Sequence, residues 1–124
     1  MGTRALVKVK DGKSVILCIY RQMDGYPEAL GKELEQLIAG VQVVNGYTSD
    51  MASPQQFNGI QCFAAYLVAH LKITGPYAKG HSSAKSGGIG NVYIMPPNSK
   101  DVGEEYTYVI TEKNGKLQMK VNKS

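Results

Sequence analysis

Between Thr3 and Lys10, apolar Ala5, Val7 and Val9 alternate with Arg4, Leu6, Lys8 and Lys10, a period of two that predicts a strand with one largely basic face. Asp11-Gly12 signals a two-residue hairpin, and Ser14 to Tyr20 is apolar on both faces, as a central strand is. The alternation fails at Arg21-Gln22, and Asp24-Gly25 supplies a turn in which glycine tolerates positive φ. Pro27 suits the first position of a helix, where its missing N–H is no loss, and Glu28 complements the positive end of the helix dipole. Leu30, Leu34, Leu37 and Ile38 then fall on one stripe, which predicts an amphipathic helix over 27–39 with Gly40 at its C′ position.

Val41 to Met51 carries a Val41-Val43-Val44 cluster and an Asn45-Gly46 turn, readable as a short strand or as loop. Ser53-Pro54-Gln55-Gln56 combines an N-cap serine, a proline and a capping-box glutamine, predicting a second helix from there to about Thr74, where Gly75-Pro76 stops it. That helix is apolar nearly all round from Ile60 to Leu71, so it is expected at the centre of the domain. The stretch 75–90 has no apolar period and reads as a long loop. Asn91 to Met95 resumes a strand that Pro96-Pro97-Asn98 ends, and Glu105 to Thr111 with Leu117 to Val121 form a closing hairpin around Asn114-Gly115. The expectation is a single α+β domain over 1–124: an antiparallel sheet of about five strands, in the order ββααβββ, with two helices packed on one face.

Composition sharpens this only slightly. A chain of 124 residues, 43% hydrophobic and 19% charged, is an ordinary globular domain and not a disordered tail. The net charge of +4 and pI near 9.0 favour an anionic partner only mildly, because no run of five or six lysines occurs. Cys18 and Cys62 lie in apolar segments, which suggests buried thiols in a reducing compartment. With neither a signal-peptide pattern nor an apolar run long enough to span a bilayer, a cytoplasmic location and no membrane partner are expected.

Three chemistries fail on spacing. Cys62 and His70 stand eight residues apart on one predicted helix, about 12 Å by helical rise, too far for a nucleophile and its base. Two cysteines and two histidines without metal-ligand spacing give no metal site, and no cofactor is implied. Gly75 to Ser82 imitates a phosphate-binding loop, but His81 stands where the lysine should, Pro76 removes a donor, and the string follows a helix. Lys79, His81 and Lys85 remain as a loose anion-binding loop.

The richest stretch is the strand-to-helix turn. Tyr20, Arg21, Asp24, Tyr26 and Glu28 concentrate two tyrosines, a guanidinium and two carboxylates, and Arg21 can pair bidentately with Asp24 or with an incoming carboxylate or phosphate. Glu104, Glu105, Tyr106 and Tyr108 open a later strand expected to meet that turn around a shared hollow. The strings Ile19-Tyr20-Arg21, Asp24-Gly25-Tyr26-Pro27-Glu28 and Gly31-Lys32, followed by Tyr93-Ile94-Met95-Pro96-Pro97 and Gly103-Glu104-Glu105-Tyr106-Thr107-Tyr108, resemble a family of small uncharacterised phage and bacterial proteins. The resemblance covers both ends of the chain, is looser from Val41 to Asn91, and implies one compact domain without implying a particular chemistry.

The leading expectation is a binding or interaction module with an unidentified small-molecule or protein ligand, able to form a homo-oligomer through its edge strands. Two alternatives accompany it. One is a small hydrolase or transferase acting on an anionic substrate with Asp24 or Glu28 as general base; the other is a nucleic-acid binder using basic strand one and the 75–90 loop.

Overall fold

A computed structural model describes residues 2–46, 56–73 and 91–124. Two strands, β1 (Ala5–Asp11) and β2 (Ser14–Arg21), form the expected hairpin with Asp11 paired to Ser14 across the turn. A bulge between Val9 and Lys10 shifts the register near that turn. A π-helical turn, Pro27–Gly31, leads into α1 (Lys32–Ile38), so the expected helix is present over the whole apolar stripe but wound wide in its first turn. Leu30 and Leu34 are buried, and Gly40, at φ 75°, ends the helix as a left-handed C′ residue.

Two short strands follow, β3 (Gln42–Val44) and β4 (Gln56–Asn58), paired in parallel. This corrects the second helix. Residues 51–55 lie outside the described residues, but Gln56 to Asn58 is extended, and α2 runs from Gly59 to Ile73. The reason is local: Phe57 pairs with Val43, Asn58 Oδ1 accepts from Gly46 N at 2.8 Å, and Gly59 at φ 86° turns the chain from strand into helix. The remaining strands are β5 (Val92–Met95), β6 (Tyr106–Lys113) and β7 (Lys116–Lys123), the last two joined at Asn114-Gly115.

The sheet has seven strands in the order β4-β3-β7-β6-β1-β2-β5, not about five, and it is mixed, not antiparallel. β6 lies parallel to β1, and β3 parallel to β4. The parallel pair arises because the chain, after β5 on the edge beside β2, crosses back and lays the closing hairpin against the other side of β1. The α+β class stands. Ala5, Val7, Val9, Ile19, Tyr108 and Ile110 face the buried side chains of both helices, including Leu34, Phe63, Leu67 and Leu71, and make one core. No described helix is long and apolar enough to cross a membrane.

Cys18 is buried as expected, but Cys62 is exposed on α2, because the helix buries only the stripe that includes Ile60, Phe63, Leu67 and Leu71. The segment carrying Lys79, His81 and Lys85 lies outside the described residues.

Candidate functional site

Arg21 closes β2 on the helix side of the sheet, since it shares a face with Ile19 and stands in register with Ala5, which in turn stands opposite Tyr106. Its side chain is 1% exposed. Nε donates to Met23 O at 2.9 Å and Nη1 to Glu33 Oε1 at 3.2 Å, so the guanidinium pairs with the helix, not with Asp24 as one reading of the sequence had it. Glu33 Oε2 also lies 3.9 Å from His70 Nε2 on α2, so one carboxylate ties β2, α1 and α2 together. Arg21 Nη2 is buried without a hydrogen-bond partner among the described residues. Asn91 holds the chain after Arg21 from the other side, its Oδ1 accepting from Met23 N at 2.7 Å and its carbonyl from Gln22 N at 2.9 Å.

Asp24 adopts φ 59°, and its carbonyl accepts from Leu30 N at 3.2 Å, closing the turn onto the π-helical segment. Gly25 N donates to Thr3 O at 2.9 Å, and Tyr108 donates its hydroxyl proton to Gly25 O at 2.6 Å. Gly25 has to be glycine: a Cβ there would stand 2.6 Å from the Ala5 Cβ. The turn and the beginning of β6 therefore meet, and Tyr108 fills the junction. Burial pushes the Tyr108 phenol up to about 12, with Tyr106 and Glu28 acting in the same direction and Arg21 against them. Tyr106 is half-buried beside it with ring centroids 6.5 Å apart, while Tyr26 and Glu28 are exposed.

The other predicted site residues lie elsewhere. Tyr20 points to the opposite face of the sheet, where it stacks on Tyr93 at 5.9 Å and 24°. Glu104 belongs to the crossover between β5 and β6, and its carboxylate accepts from Asp101 N at 3.0 Å and Val102 N at 2.8 Å. Partial burial works against ionisation of Glu104, but these N–H groups and Lys8 outweigh it and hold the carboxyl below its usual range. Glu105 is exposed, its backbone N donating to Arg4 O at 2.8 Å. Burial raises the Cys18 thiol, opposed by Lys8 and reinforced by Glu104, so this cysteine is held as the unreactive thiol. Among the described residues no group of three or more His, Cys, Asp or Glu side chains could hold a metal ion.

That opposite face carries the arrangement which sequence reading only half found. On β1 it presents Lys8 and Lys10; register places Lys8 opposite Val109, Val109 opposite Lys120, and Lys113 opposite Lys116. Five lysines thus project from one side of three adjacent strands, and no aspartate or glutamate occupies a position on that side of β1, β6 or β7. The acids of these strands face the helices: Asp11 Oδ2 accepts from Gln61 Nε2 at 2.9 Å, and Glu112 lines a groove with Gly59 and Gln61. Lys10, Val109, Thr111, Gln118 and Lys120 line an open groove of about 560 Å³ on the lysine side. The Asn114-Gly115 turn and the even spacing of Lys116 and Lys120 were legible, but the placement of β6 beside β1 was not.

This geometry can hold an anion by charge and by hydroxyl and amide donors. No family model, curated protein or solved structure matches the chain.

Proposed function

We propose that the protein is a small binding module that engages an anionic partner through the lysine-bearing face of β1, β6 and β7. The observation that carries this reading is that Lys8, Lys10, Lys113, Lys116 and Lys120 share one side of β1, β6 and β7 with no acid among them, while Asp11, Glu112 and Lys123 lie on the other. Five like charges on adjacent strands, 4.7–4.9 Å apart in such sheets, repel one another and weaken the sheet slightly, and an anionic partner relieves that repulsion. Glu104 beside Lys8 marks the rim of the patch.

Hydrolysis with Asp24 or Glu28 as general base has less support. Arg21, the residue that would hold an anionic substrate, is buried and bonded to Glu33 and Met23, and Glu28 is exposed at the surface. The phage-type resemblance, a cytoplasmic location and self-association are compatible with a binding module and remain part of the proposal. Nucleic acid is one anionic partner this face suits, through its backbone, with the Tyr20–Tyr93 stack on β2 and β5 of the same face.

Titration of inorganic polyphosphate or polyglutamate into the full chain at rising salt tests the reading. Binding that falls steeply with ionic strength, and falls further in Lys10→Glu/Lys120→Glu, supports it. Lys32→Glu, on the exposed side of α1, serves as the control. Equal loss in the control and in the sheet variant overturns the assignment to this face.

A further inference from the structure

β7 is eight residues long, yet β3 pairs with it only at Lys116. From Gln118 onward its outer edge has no partner strand among the described residues, and Lys120, Val121, Asn122 and Lys123 are exposed. The phase of its hydrogen bonds shows which backbone groups are open. Ser124 N donates to Glu105 O at 2.8 Å, one step beyond the Tyr106–Lys123 pair. In an antiparallel ladder the bonded pairs recur at every second residue, so Gln118, Lys120 and Asn122 direct their N–H and C=O groups to β6. Those of Met119, Val121 and Lys123 point away from it.

Side chains flank this row of backbone groups in two chemistries. Lys120 projects between Gln118 and Asn122 on the lysine face, and Val121, which is 42% exposed, projects with Met119 and Lys123 on the helix face. We propose that the free edge of β7 accepts an extended acidic segment of a partner protein as an eighth strand, its acidic side chains on the lysine face and its apolar ones beside Val121 and Met119. This rests on the anion-binding reading and names its partner. Strand addition draws affinity from main-chain hydrogen bonds and selectivity from alternate side chains, and this edge supplies both. A phosphate backbone accepts hydrogen bonds but does not supply the alternating donors that the open carbonyls require. A second copy is disfavoured, because pairing β7 with itself antiparallel brings lysines of the same face together.

The test is titration of the isotope-labelled full chain with a blocked synthetic peptide of roughly β7's length that alternates glutamate and valine. Parallel titrations use the same peptide with proline at its central valine and a single-stranded oligonucleotide of equal charge. The expected result is amide shifts and slowed hydrogen exchange centred on Met119, Val121 and Lys123. The proline peptide binds about tenfold more weakly, as does the glutamate-valine peptide to Val121→Pro, which removes one outward donor and leaves the β6 ladder intact. If Val121→Pro does not fold, the proline peptide decides. Equal binding of the two peptides, or preferential binding of the oligonucleotide, overturns strand addition while leaving the lysine face as an anion site. Failure of peptide and oligonucleotide alike to bind at low salt overturns both.

Discussion

Glu33→Ala should destabilise the protein more than Arg21→Met, although both substitutions break the same ion pair. The two partners differ in what they leave behind. Arg21 is 1% exposed and Glu33 19% exposed, and among the described residues Arg21 Nη2 is buried without a partner even with Glu33 in place. Removing Glu33 leaves a guanidinium with full charge, no counterion and only the Nε–Met23 bond, which at a fully buried pair costs 3–5 kcal/mol. Partial exposure on the Glu33 side lowers that to about 2–4 kcal/mol. Removing the guanidinium while keeping an apolar stem forfeits two hydrogen bonds of about 1 kcal/mol each, but it also abolishes the desolvation penalty of about 1–3 kcal/mol on Nη2. The carboxylate left behind reaches solvent and His70. Arg21→Met should therefore cost about 1 kcal/mol or less, and Arg21→Met/Glu33→Ala should fall well short of the sum of the single effects. Urea unfolding of the four proteins gives the midpoints and m-values that decide it. An Arg21→Met protein less stable than Glu33→Ala, or strictly additive single effects, would refute the view that the uncompensated charge dominates.

Tyr108 predicts the alkaline limb of the stability curve. Its phenol stands near 10 in the unfolded chain and about 12 in the folded one, so its contribution is complete below pH 10 and is lost as pH rises toward 12, roughly 3 kcal/mol at most. Tyr108→Phe should remove that limb and lower neutral stability by about 1–3 kcal/mol through the orphaned Gly25 carbonyl; an unchanged alkaline limb in thermal melts would count against it. Gly25→Ala should destabilise by about 1–3 kcal/mol, because the new methyl meets Ala5 Cβ at 2.6 Å and Thr3 O at 2.9 Å; a thermal midpoint equal to that of the parent would disprove the close approach. In native thiol titration Cys62 should react at once and Cys18 only on unfolding, and two fast thiols would contradict the burial of Cys18.

The turn from Arg21 to Gly31 illustrates what could be read in the chain and what could not. Gly25, Pro27 and Gly40 act through their own backbone geometry, so their roles as turn, helix start and helix stop are visible from identity and spacing. The partner of Arg21 was not visible. Local reasoning offered Asp24, three residues away, but the strand directs Arg21 toward the helix layer, where Glu33 and His70 arrive from two other elements. The start of helix two was misplaced for a related reason, while its body over Gly59–Ile73 was as expected. Ser53-Pro54 is a sound capping signal, but a three-residue strand such as Gln56–Asn58 has too few positions to show a period of its own, and its pairing with Gln42–Val44 is a tertiary fact.

By itself the sequence determined the class of the domain, its hairpins and the parity of every long strand, because side chains alternate at a period of two wherever the chain is extended. Parity already put Lys8 with Lys10 and Lys116 with Lys120. The tertiary structure alone decided that β6 lies beside β1, parallel to it, with β7 outside, and so gathered five lysines on one face and left the edge of Met119, Val121 and Lys123 without a partner strand among the described residues. Strand order depends on how distant strands pack together against both helices, a property of the whole core that no single stretch of chain encodes.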